Sequence, residues 1–176
     1  MKRIINIILL VLLSTPVFSQ TVELTGNVLV ELVNDVRNKN SLVSVTYNHN
    51  LEKAAKIQAE YLSTLDDIYN ISHVHPVDSL ERVWDRIRVV SNDTDFNSCE
   101  NITVFTVKEV PNDTTLSNRA FRNFITSKGH RINILTDTES IFSGIQKTYR
   151  YGQCILYVPS KKWVIVVQVF ATFFED

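Results

Sequence analysis

Hydrophobic spacing divides this chain more sharply than any single motif. From Leu29 to Ile125 the apolar residues mostly recur three and four positions apart, the repeat that gathers them on one side of a helix. Beyond Leu135 they come as runs of branched and aromatic side chains: Ser140 to Tyr149, Cys154 to Val158 and Trp163 to Phe173. Such runs read as strands. Helices first and an antiparallel meander last predict an α+β domain with helices packed on a sheet.

Leu29, Leu32, Val33 and Val36 predict a first helix within residues 22–38. After an extended patch at Val45 to Tyr47, the side chains of Asn48 and Asn50 can cap a second helix, whose core face is Leu51, Ala54, Ala55, Ala59, Leu62 and Leu65. An irregular segment from Asp66 to Pro76 carries His73 and His75. Asp78 and Glu81 have capping-box spacing, and Leu80, Val83, Trp84 and Ile87 predict the core face of a third helix. A strand is expected at Ile102 to Val107, with Glu100 and Asn101 at its entrance. A fourth helix follows, with Leu116, Ala120, Phe121, Phe124 and Ile125 on one side. Gly129 is expected to end it in the left-handed conformation and to present His130 at a fixed corner. Turns are predicted at Tyr151–Gly152 and at Pro159 to Lys162.

The N-terminus reads Met1, Lys2, Arg3, then an apolar run from Ile4 to Leu13 and small residues up to Ser19. This is the form of a secretory signal peptide over residues 1–19, too short in its apolar part to span a membrane. Residues 20–176 are then one domain, secreted or periplasmic, and no cysteine stands at the cleavage point to take a lipid. The chain holds 18 basic and 19 acidic side chains, and the leader carries Lys2 and Arg3, so what remains is net acidic. That balance argues against nucleic acid as a partner. Cys99 and Cys154, the two cysteines, could close a disulfide in an oxidising compartment or stay as two buried thiols.

The order of landmarks resembles the CAP superfamily of SCP-like domains, which includes cysteine-rich secretory proteins, venom antigens and plant pathogenesis-related proteins. The landmarks are Val45 to Asn48 before an alanine-containing helix, Ile71-Ser72-His73, Trp84-Asp85-Arg86, Glu100-Asn101-Ile102, Ser127 to Arg131, Ser143-Gly144-Ile145 and Val167 to Ala171. The resemblance covers nearly all of the chain after the leader. It implies a three-layer α-β-α sandwich with a mainly antiparallel sheet and a central cleft of histidines and acids. Carried over, Glu100 is the cleft glutamate and His130 the histidine beyond the helix. The first histidine is His73, with His75 as the alternative. Two positions depart from the family pattern: Cys99 stands where a glycine precedes the glutamate, and Ser127 stands near a second glutamate that many eukaryotic members carry.

Two imidazoles and a carboxylate are also a chemically sensible ligand set for a divalent metal. His73, Glu100 and His130 could hold zinc with an open position, or a hydrated magnesium, or form a hydrogen-bonded cluster with no ion. The tight His-Glu-x-x-His spacing of dedicated zinc sites is absent. Ser127, His130 and Glu100 can be drawn as a hydrolase triad, but no strained Gly-x-Ser-x-Gly elbow accompanies the serine. Arg86 is expected to partner a carboxylate structurally. The expected function is therefore a monomeric binding module whose cleft takes a small-molecule, lipid-like or peptide ligand. The alternative is a metal-assisted hydrolase of peptide or cell-envelope material with Glu100 as base.

Overall fold

The computed structural model describes residues 21–136 and 146–175. The expected leader, residues 1–19, and the landmark Ser143 to Ile145 lie outside them. Strand β5, Trp163–Glu175, organises the remainder because its alternate residues serve two different cores. Ile165, Val167, Val169, Ala171 and Phe173 enter one core, and Val164, Val166 and Phe170 enter the other. A strand buried on both faces must be central. It lies antiparallel between β4, Gln146–Val158, and β3, Phe96–Thr106. Two short strands border β4: β1, Val22–Glu23, is antiparallel to it, and β2, Thr46–Tyr47, is parallel. The order is β1-β4-β5-β3, which leaves β3 at an edge among the described residues.

Helices cover both faces, giving the three-layer sandwich. On one side lie α2, His49–Thr64, and α3, Val83–Ser91. On the other lie α1, Asn27–Lys39, α4, Asp113–Thr126, and α5, Lys128–Leu135. Helix α2 starts where expected, since the Asn48 side chain accepts from the backbone of Asn50 and Leu51. Its first turn lies directly on Gly152, where an added Cβ would stand 2.2 Å from the Glu52 nitrogen. Gly152 is thus a close-contact residue in the middle of β4 and not the turn predicted there. The turn at Pro159 to Lys162 does form, with Lys162 at φ 53°.

Three further expectations are corrected. Gly129 does not end a helix: the break falls at Ser127, in extended conformation, and Gly129 and His130 belong to the first turn of α5. Trp84 is 43% exposed and turned away from the core, with the Arg82 guanidinium over its ring, while the buried positions of α3 are Val83, Arg86 and Ile87. Cys99 and Cys154 are free thiols. They cannot bridge, because β5 separates their strands and they face opposite layers. Two strand spacings are roughly 9–10 Å, beyond the Cα reach of a disulfide.

Candidate functional site

Glu100 and Asn101 lie within β3, four and five residues past its start, so their side chains point to opposite layers. Glu100 faces α3. Its Oε2 accepts a hydrogen bond from Arg86 Nη2 at 2.5 Å, and the guanidinium is completely buried. Arg86 also donates to the carbonyls of Leu80, at 3.1 Å, and Glu81, at 3.4 Å. The short helical turn at Asp78–Leu80 therefore fixes the arginine from behind.

Oε1 of Glu100 meets His73 Nδ1 at 3.0 Å. A carboxylate only accepts, so Nδ1 carries the hydrogen and Nε2 is an acceptor. The His73 side chain is 55% exposed whereas that of Glu100 is 3% exposed. The pair is a buried acid with an accessible imidazole. His73 is positioned by α2: buried Gln58 donates Nε2 to the carbonyl of Ser72 at 2.7 Å, and Ser72 Oγ accepts from Val74 N. His75 takes a different part. Its backbone N–H donates to Glu81, its Nδ1 accepts from Val77 N, and its ring packs on Tyr61 at 5.0 Å. Burial and then the nearby Arg86 charge lower its pKa from the ordinary histidine value. His75 holds the loop, and His73 reaches Glu100.

His130 arrives from the opposite layer. Asn101 Nδ2 donates to the His130 carbonyl at 3.1 Å, and Asn133 Nδ2 donates both to the Glu100 carbonyl, at 3.1 Å, and to Asn101 Oδ1, at 2.8 Å. These bonds dock α5 along the edge of β3. Buried Arg37 holds the far end of the helix through the carbonyls of Ile134 and Thr136, which a helix terminus leaves unsatisfied. The His130 ring lies edge-on to Phe124 at 5.3 Å, and its Nδ1 is buried with no hydrogen-bond partner. Burial, and secondarily the proximity of His73, lower its pKa. Ser127 only shapes the corner between α4 and α5: its carbonyl accepts from Arg131 N, and its hydroxyl makes no cap bond.

The structure thus places His73, Glu100 and His130 around the edge of β3. Among the described residues, however, no three His, Cys, Asp or Glu side chains are grouped so as to hold a metal ion. Glu100 has both oxygens engaged, one of them by a cation, so the residues present do not fit a divalent metal, one of the alternatives the sequence left open.

Beneath the site runs a polar chain that sequence reasoning missed. Asn101 donates to Gln168 Oε1 at 3.3 Å, Gln168 donates to the Tyr151 hydroxyl at 2.9 Å, and Tyr151 donates to Gln153. Gln153 then donates to the Gly26 carbonyl at 2.5 Å. All four side chains are buried, and they cross the sheet from β3 to the start of α1. On the same layer, a separate cavity of about 120 Å³ is lined by residues that include Arg37, Cys99, Tyr149 and Phe170. Burial pushes the Cys99 thiol up to about 12.

The model of the CAP family, described as the cysteine-rich secretory protein family, matches residues 30–170. Among solved structures, the chain is similar to an extracellular protein containing an SCP domain from Bacillus anthracis strain Ames, with a TM-score of 0.52 and 20% identity. The match covers 81% of this chain and 38% of that one, a likeness of fold over a part of a longer protein. No curated protein matches. Among the described residues no helix is long and apolar enough to cross a membrane.

Proposed function

Because the chain belongs to the cysteine-rich secretory protein family, we propose that it is a secreted binding module whose His73, Glu100 and His130 at the edge of β3 recognise a polar, peptide-like ligand. The observation that carries this reading is the His73–Glu100–Arg86 chain. A buried ion pair orients one accessible imidazole, and burial, with His73 as the secondary cause, keeps His130 toward its neutral form. His73 Nε2 is left as a hydrogen-bond acceptor. His130, biased toward the neutral form, has its Nδ1 buried and offers Nε2 alone, as a donor in the tautomer that carries the hydrogen there. Amide groups match that combination of donors and acceptors.

Hydrolysis has less support. Among the described residues no hydroxyl or thiol is hydrogen-bonded to His73 or His130, and both oxygens of Glu100 are already engaged, one by His73 and one by Arg86. Titrating the isotope-labelled protein with a pool of short peptides, and separately with a fatty acid, tests the proposal. Peptides are expected to move the imidazole signals of His73 and His130, to be recovered uncleaved, and to lose their effect in His130→Ala. Peptide-induced shifts confined to other residues, or none at all, would sink it.

A further inference from the structure

A carboxylate as buried as Glu100 must be paired and hydrogen-bonded to stay ionised. Here the chain supplies its own partner. The Arg86 guanidinium is 0% exposed and takes Glu100 Oε2, while Leu80 and Glu81 carbonyls hold it from the other side. His73 takes Oε1. An ion on Glu100 would have to come within ~2.0–2.2 Å of an oxygen already committed, and it would lie beside a fixed like charge that has nowhere to go.

We infer that Arg86 stands in the place of the metal: the His73–Glu100–His130 cluster is a metal-independent site in which a guanidinium carried by α3 positions Glu100 and, through it, His73. The sequence alone does not reveal this, because Arg86 lies 14 residues from Glu100 and is separated from it by a turn-rich segment. The inference rests on reading this cluster as the binding site. Zinc binding and peptide binding are separate readouts, so either can fail without the other.

Calorimetry with zinc chloride on the purified protein provides the test, with His73→Ala and His130→Ala as comparisons because both leave the buried pair intact. The three traces are expected to coincide, any weak heat from exposed histidines elsewhere being common to all. A one-to-one zinc site in the wild type that either variant abolishes overturns the inference. Arg86→Met should open Glu100 to the ion and bind zinc at least tenfold more tightly than the wild type. A folded Arg86→Met protein with the wild-type zinc trace overturns it as well. If Arg86→Met does not fold, the double variant Arg86→Met/Glu100→Gln decides. It is expected to regain a cooperative thermal transition, because the unpaired carboxylate has gone, and a double variant as disordered as the single overturns the inference.

Discussion

Glu100 and Asn101 are neighbours on one strand and belong to two differently built regions. On the α3 side, Glu100 heads a short chain that ends in a half-exposed imidazole. On the α5 side, Asn101 begins a chain that stays buried to its last member, Gln153. Both are polar groups inside a sandwich, and burial obliges both to find partners. The difference lies in where each chain ends. The first hands its last nitrogen to solvent, whereas the second closes on a backbone carbonyl at Gly26. A polar chain that ends outside can do chemistry or binding, and one that ends inside can only hold the layers in register.

The first way to break the comparison is to cut each chain at its middle. Gln168→Leu removes a side chain that both accepts from Asn101 and donates to Tyr151. It is expected to cost about 1–3 kcal/mol in urea unfolding, the price of leaving buried polar groups short of partners. His73→Ala removes a half-exposed ring and lets water reach Glu100 Oε1 in its place, so it should cost no more than ~1 kcal/mol, while abolishing the response to peptides. Equal losses of stability from the two variants would show that the distinction between a holding chain and a working chain is wrong.

Acid sharpens the same contrast with a smaller effect. Burial first and His73 second lower the His130 pKa below the ordinary 6.5. Below that value the unfolded chain takes up a proton at this position that the folded chain resists, so falling pH favours unfolding until the folded pKa is passed. His75 adds a contribution of the same sign. The urea midpoint of the wild type is therefore expected to fall more between pH 7.5 and pH 5.5 than that of His130→Gln. Parallel profiles would mean that the ring is less enclosed than its packing on Phe124 indicates. The Asn101 chain, which contains no group that titrates in this range, contributes nothing to the slope.

How much of this could be read from the sequence follows from the range of each interaction. The helices were legible because Leu29 and Val33, or Ala55 and Ala59, meet their neighbours within a turn, and Asn48 caps a helix that starts beside it. The apolar run of β5 was legible as a strand, and its place at the centre of the sheet only from the pairing of β4 and β3 on either side of it. Gly152 misled because a glycine in a loop and a glycine under a helix look alike until α2 is placed on it. Gly129 misled because the α4–α5 corner is made at Ser127 by tertiary docking, through Asn133 and Arg37, and not by a local left-handed residue. His73, Glu100 and His130 were named from their types and order. Arg86 was legible as a partner for an acid, but which acid was not. Gln168 and Gln153 looked like isolated polar residues in apolar strands. Only the strand register, which pairs Gln168 with both Asn101 and Gln153, makes them a chain.

The two cysteines give the smallest expected effect and a test of the layers themselves. Cys99 belongs to the layer of α1 and α5, and Cys154 to the layer of α2, with β5 between their strands. Burial raises both thiols to about 12, so neither offers a thiolate to an alkylating reagent at pH 8. Protein prepared without reductant is expected to stay unlabelled by iodoacetamide while folded and to take two labels once unfolded in urea. Adding a reductant should leave the thermal midpoint where it was. A native bridge would behave in the opposite way: no label without reductant, and, at about 2–5 kcal/mol for the lost crosslink, a midpoint lower by roughly 5–20 °C after reduction. That result would force Cys99 and Cys154 onto one face of the sheet. Glu100 and Asn101 would then have to exchange sides, and the division between the two regions would fail with them.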